Sequence, residues 1–188
     1  LTNMAQVLMD LQRSAEAKPM LEHILAQENT YGPALLTYAG LMQAEGQLEP
    51  AALYYRGALA HGAPALLVNN NLGNVLRDLG KLEEALVCAA EAARLAPRHD
   101  GILNNYAALL HDCGRVAEAE ALWLQVIDIK PSTVGARYNL AKLWMEQKKF
   151  AAAREMLGAV LGIVPDHGDA AILLAAAEHA EGNTAQAK

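Results

Sequence analysis

The strongest constraint on the fold is a spacing that returns every 34 residues. The segment NNLGNVLRDLGKLEEALVCAAEAARLAP, starting at Asn70, overlays NNYAALLHDCGRVAEAEALWLQVIDIKP, starting at Asn104, residue for residue. Carried along the chain, the shift places a small residue at Ala5, Ala39, Gly73, Ala107, Ala141 and Ala175. It places alanine at Ala17, Ala51, Ala85, Ala119, Ala153 and Ala187. A third position reads Gly46, Gly80, Gly114 and Gly182, with Gln12 and Lys148 as departures. Pro97, Pro131 and Pro165 close three units, where Asn29 and Ala63 stand in earlier ones. A period of this length marks supersecondary units that bury their apolar faces on their neighbours.

Each position has a physical reading. Small residues at the first two sites let the two helices of a hairpin approach closely. Glycine between them supplies the left-handed backbone that ends a helix, and proline stops the second helix before the next unit. Larger apolar residues fill the inward sites: Met4, Tyr38, Leu72, Tyr106, Leu140 and Leu174 in first helices, and Leu21, Tyr55, Trp123 and Leu157 in second helices. Pro19 falls inside a second helix, where it removes a hydrogen bond, whereas Pro50 lies near a helix start and is tolerated there.

Composition agrees with a helical period. The chain is 53% hydrophobic and 19% charged with a net charge of −6, which suits an ordered domain, and it holds no alternating run rich in Val, Ile and Thr. The acidic balance disfavours nucleic acid, whose binding draws on many Lys and Arg side chains. No apolar run reaches the roughly 18 residues of a membrane span, and LTNMAQVLMDLQR lacks the basic front and cleavage site of a leader, so the expected location is cytoplasmic. Cys88 and Cys113 have no metal or redox spacing and read as small apolar residues of a reducing compartment.

These positions together resemble the tetratricopeptide repeat, and the resemblance covers essentially the whole chain. It implies an all-α, right-handed α-solenoid of antiparallel helix pairs, with about 5.5 repeats at residues 1–31, 32–65, 66–99, 100–133, 134–167 and 168–188, the last one partial. A sixth unit ending at AEGNTAQAK, and a first that begins part way into its first helix, lead to the expectation that the chain is a piece of a longer protein.

In the family this resembles, first helices line a concave face. In that register Asn3, Asn71, Asn105 and Asn139 share one position, interrupted by Thr37 and Leu173. Asn70 and Asn104 precede two of them, and Asn74 follows Asn70 by one turn. An amide offers a donor and an acceptor, so a ladder of asparagines can hold the backbone of an extended peptide whatever its side chains. The pattern is similar to the asparagine-lined repeats of the O-linked N-acetylglucosamine transferase. The alternative is that these amides bond between units and set repeat geometry. Asn69 sits where such repeats carry a large apolar residue and is expected to make a local helix-start bond or a bond between repeats, and not to contact a ligand. Arg77, His111, His179, Tyr138 and Lys142, with Asp78, Asp112 and Glu146, complete the candidate face.

The clamp that some family members use for acidic chaperone tails is incomplete: Asn74 and Asn105 match its asparagines, but Asn70, Gly135 and Asn139 stand at its basic positions. His111, Asp112 and Cys113 are sequence neighbours that point in different directions on a helix, which argues against a nucleophilic site. The remaining histidines have no metal-ligand spacing and read as surface or helix-end residues. The expected function is therefore a non-catalytic scaffold, without metal or cofactor, for an extended peptide or partner protein. Two alternatives are the recognition arm of a larger enzyme such as a glycosyltransferase, and self-assembly through an uncovered terminal helix face.

Overall fold

The computed structural model describes residues 2–11 and 13–186. Eleven helices follow one another: α1 (Thr2–Asp10), α2 (Ser14–Gln27), α3 (Gly32–Ala44), α4 (Leu48–Ala60), α5 (Ala65–Asp78), α6 (Leu82–Leu95), α7 (Asp100–Asp112), α8 (Val116–Ile129), α9 (Val134–Glu146), α10 (Phe150–Ile163) and α11 (Gly168–Gln186). The described residues contain no strand. The fold is all-α, and the helices fall into two compact units, Leu1–Pro97 and Arg98–Lys188.

Within each unit the helices pair as the spacing requires, α1 with α2, α3 with α4 and α5 with α6 in the first, α7 with α8 and α9 with α10 in the second. The small positions are where the pairs close. Ala5, Ala17, Ala39, Ala51, Ala85, Ala107, Ala119, Ala141 and Ala153 are all fully buried. At Gly73 a β-carbon would stand 3.5 Å from the Ala85 carbonyl oxygen and 3.6 Å from the Cys88 β-carbon, so nothing much larger than alanine fits. First helices also touch one another, α1 with α3, α3 with α5, α7 with α9 and α9 with α11. Second helices stand farther apart, and α4 reaches α6 through the Arg56–Glu84 ion pair at 2.6 Å. First helices therefore form the inner layer of each unit and second helices the outer one.

The turns keep one geometry despite a change of residue. Gly46, Gly80 and Gly114 have φ of 75°, 73° and 74°, and Lys148 takes the same left-handed conformation at φ 59°. Each turn closes with a bond from the following residue to the helix before it, such as Lys81 N to Leu76 O at 2.8 Å and Lys149 N to Trp144 O at 2.8 Å. The hydrogen bonds of the turn hold a lysine where glycine is cheaper by about 1–2 kcal/mol. Gln12 lies outside the described residues. Pro19 is accommodated inside α2, and Pro50 is the third residue of α4.

Two expectations are corrected. Met4 is 58% exposed, because its position packs against the second helix of a preceding unit and α1 has none before it among the described residues. Tyr38, at the same position one repeat later, is buried and reaches Glu22 of α2. Gly182 forms no turn: α11 runs through it as one helix of 19 residues, and Ala175 is exposed. A turn is favoured only when the helix after it has a surface to bury, and without that packing the uninterrupted ladder of helical hydrogen bonds wins. Ala187 lies outside the described residues.

A polar tie joins α8 to α9 and the turn after it. The Trp144 indole N–H donates to Glu120 Oε1 at 2.7 Å, Lys149 Nζ lies at 3.4 Å, and the Gln147 side chain also bonds this carboxylate. The Trp144 hydrogen bond above all, with help from Lys149, holds the Glu120 carboxyl below its usual range against the opposing effect of burial. A lowered folded-state pKa gives stability that is present above the ordinary carboxylate pKa and is lost as pH falls through the lowered one. Glu120→Gln is thus expected to cost about 1.5–3 kcal/mol at neutral pH and to flatten the acid limb of the stability profile. Urea unfolding at a series of pH values checks both, and a parallel downward shift of the whole profile would show that the charge is not involved.

Glycines give an opposed pair of expectations. A β-carbon at Gly32, the first residue of α3, would run into the His61 carbonyl oxygen and stand 3.0 Å from Ala63 N, both backbone atoms. At Gly158, inside α10, it would meet nothing within 4 Å. Gly32→Ala should cost about 1–3 kcal/mol and Gly158→Ala should gain about 0.5–1 kcal/mol, read as shifts of the denaturation midpoint. Effects of the same sign at both sites would contradict the packing around Gly32.

Candidate functional site

The polar residues of first helices are built on two buried aromatic side chains that carry a polar atom. Tyr55 of α4 and Trp123 of α8 occupy the same repeat position and are 1% and 2% exposed. A buried tyrosine or tryptophan needs a partner for its O–H or N–H. Each finds one on the inner layer.

In the second unit the Trp123 indole donates to Asn104 Oδ1 at 3.1 Å, and Asn139 Nδ2 donates to the same oxygen at 3.2 Å. Asn104 thus ties α8 to α7 and α7 to α9. Farther along the same pair of helices, His111 Nε2 lies 3.0 Å from Glu146 Oε2, and its ring is tilted at 47° over Trp123 with centroids 5.9 Å apart. Tyr138 of α9 completes the strip: Lys142 Nζ stands 5.9 Å from its ring centroid, within cation–π range, and the His167 ring is 5.2 Å away. Asn105 is half-buried in α7, and Lys142 is exposed.

In the first unit Asn70 Nδ2 donates to Asn71 Oδ1 at 3.1 Å. Asn71 also bonds the Tyr55 hydroxyl, which in turn donates to Gln43 Oε1 at 2.9 Å. Burial pushes the Tyr55 hydroxyl up to about 12, and the Asn71 bond opposes that shift only in part, so it stays a neutral donor. Asn74 is half-buried and Arg77 exposed, both in the last two turns of α5. Asn3 is exposed on α1. Asn69 is buried and bonds the Ala65 carbonyl oxygen at 2.8 Å, at its own helix start.

The structure therefore brings Asn104 to Asn139, His111 to Glu146, Tyr138 to Lys142 and Asn70 to Asn71. It pairs α7 and α9 across 35 residues, one more than the repeat. Packed first helices cross at an angle, which brings Asn139 to Asn104, the residue before its own repeat counterpart. The roles of Tyr55 and Trp123 escape an apolar-core reading. The signal for them is the choice of Tyr and Trp, and not Leu or Phe, at a position that the repeat buries.

Three histidines stand at helix ends. His99 accepts from Ile102 N at 3.4 Å and His167 from Ala170 N at 3.2 Å, at the starts of α7 and α11, while His61 follows the last residue of α4. Among the described residues no group of His, Cys, Asp and Glu is arranged to hold a metal, and no helix is long and apolar enough to cross a membrane. Cys88 and Cys113 are half-buried thiols, and burial raises the pKa of Cys88, which keeps it protonated and unreactive.

Family models described as tetratricopeptide repeats match residues 67–99, 102–125, 114–166 and 145–188. Among solved structures the chain is similar to YrrB, described as a TPR protein with an unusual peptide-binding site, at 22% identity and a TM-score of 0.76, over 96% of this chain and 89% of that one. It is similar to Pseudomonas aeruginosa pilF at 19% identity and a TM-score of 0.81, over 98% and 86%. The first TPR of Spaghetti (RPAP3), bound to an HSP90 peptide, matches at 21% identity and a TM-score of 0.60, over 63% and 94%. None of these three is described as a glycosyltransferase. No curated protein sequence matches the chain.

Proposed function

Since the chain belongs to the tetratricopeptide repeat family, we propose that it is a non-catalytic interaction scaffold whose first helices bind an extended peptide segment of a partner protein. The observation that carries this reading is the α7–α9 strip, where side-chain amides, an imidazole, an ammonium and a phenol ring stand on one layer above the Trp123 anchor. Asn104 and Asn139 share one hydrogen bond between them, and each amide can form more than one. The spare donors and acceptors suit the alternating N–H and C=O groups of an extended backbone. Tyr138 and Lys142 add a flat apolar surface beside a cation, suited to a side chain of mixed apolar and acidic character.

YrrB and the Spaghetti repeat, both peptide binders by their descriptions, lend the fold-level analogy. His111, held by Glu146 and tilted over Trp123, presents a fixed imidazole edge on the strip for a peptide to meet. The experiment is a peptide selected from a random library on this chain, followed by side-chain amide spectra of the complex. The expected result is displaced Nδ2 signals for Asn104, Asn105 and Asn139. Binding that leaves all three signals in place would overturn the reading.

A further inference from the structure

A second surface lies in the outer layer of the first unit. A hollow of ≈ 620 Å³ opens between α4, α5 and α6, lined by Leu59, Ala65, Asn69, Val87, Ala90 and the Glu91–Arg94 pair. Its volume is in the range of ligand pockets.

The repeat itself shows what is missing from it. One unit earlier the two α5 positions are Tyr31 and Leu35, where the hollow has Ala65 and Asn69. Leu35 is 6% exposed, with its Cδ1 in ordinary van der Waals contact, 3.7 Å, with the space a β-carbon on Gly57 of α4 would fill. Leu103, at the corresponding place in α7, is likewise buried. In α5 both residues are cut down, Tyr to Ala and Leu to Asn, so the chain supplies no leucine-sized side chain at this place.

Asn69 does not fill the gap. It is 7% exposed, and its Nδ2 turns back to the Ala65 carbonyl oxygen. Its side chain makes that bond alone among the described residues, which leaves a second amide N–H and the amide oxygen for a ligand in the hollow. The walls are apolar and open, with Val87 72% and Leu59 38% exposed. At the rim Arg94 and Glu91 neutralise one another through two hydrogen bonds of 2.7 and 2.8 Å. An apolar wall, a neutral rim and one amide select an uncharged aliphatic side chain whose own backbone peptide group can meet that amide.

We infer that this hollow is a docking site, separate from the first-helix strip, for a leucine-sized side chain of a partner peptide. The side chain takes the volume that Leu35 fills in the preceding repeat.

The test uses the whole chain and three small probes, acetyl-Gly-Leu-Gly-amide and its Ala and Lys counterparts, followed by the methyl signals of Leu59 and Val87. The leucine probe should shift both signals saturably in the millimolar range, with the alanine probe about tenfold weaker from the lost aliphatic surface and the lysine probe inert. Asn69→Leu, which refills the hollow from within, should abolish the shifts. Val87→Glu, at a side chain that folding does not bury, should weaken them at least tenfold while helix content stays unchanged. Equal responses to the leucine and alanine probes, shifts that survive Asn69→Leu, or shifts that appear only on the asparagine strip would each overturn the inference.

Discussion

Replacement of Trp123 by alanine is expected to lower the unfolding free energy by about 3–5 kcal/mol, the range for deleting a large buried aromatic side chain. The indole is 2% exposed in α8, and its N–H reaches Asn104 Oδ1 at 3.1 Å. Truncation leaves both a void and a half-satisfied amide, and the two costs add because relaxation of the helix pair cannot repair them together. In a repeat array stability is close to a sum of local terms, so the loss should fall on α7, α8 and α9. Hydrogen exchange should show it there first, with α3 and α4 unaffected. Trp123→Phe separates the two costs: the ring stays, the donor goes, and the expected loss is about 1 kcal/mol, since Asn104 keeps Asn139. Equal losses for Ala and Phe would mean that the hydrogen bond, and not the ring, supports this repeat. A loss below about 1 kcal/mol for Trp123→Ala would contradict the burial itself.

Trp123 also shows where sequence reading stops. The small positions were legible because close approach of two helices admits few side chains, so Ala51, Ala85, Ala119 and Ala153 recur as a strict series and all are buried. The turn at Lys148 was legible only as a departure, because a left-handed residue held by the hydrogen bonds of its neighbours carries no mark of its own. Gly182 misled for the opposite reason: glycine permits a turn, and only a packed partner helix compels one. The pairing of Asn104 with Asn139 depends on the angle between two helices, which a one-dimensional period does not contain. Glu120, Trp144, Gln147 and Lys149 form their tie from three separate segments, and none stands out in its own repeat. The asparagines could be located on first helices but not divided between architecture and ligand, since the same amide serves both.

That division is what the second large effect measures. If the amides of α7 and α9 hold a peptide backbone, replacing Asn105 and Asn139 with alanine should weaken a library-selected peptide on the order of 30-fold, at about 1 kcal/mol for each hydrogen bond lost. Helix content should not change. Asn71 in the first unit, treated alone, should cost about fivefold for a peptide that reaches it. Affinity alone would mislead, because Asn139 also donates to Asn104 and Asn71 also bonds Tyr55. Removing either frees a neighbour and can weaken binding through a loosened strip.

A double-mutant cycle separates the causes. Each alanine variant is measured against the peptide and against the same peptide N-methylated at successive residues, which deletes one backbone donor at a time. A direct bond makes the two losses overlap, with a coupling energy near 1 kcal/mol at one peptide residue for each asparagine. An architectural amide leaves them additive at every position. Stepwise coupling along the peptide, Asn105 with one residue and Asn139 with another farther on, is the expected result. Additivity throughout would assign the asparagines to repeat packing and move the binding surface elsewhere on the unit.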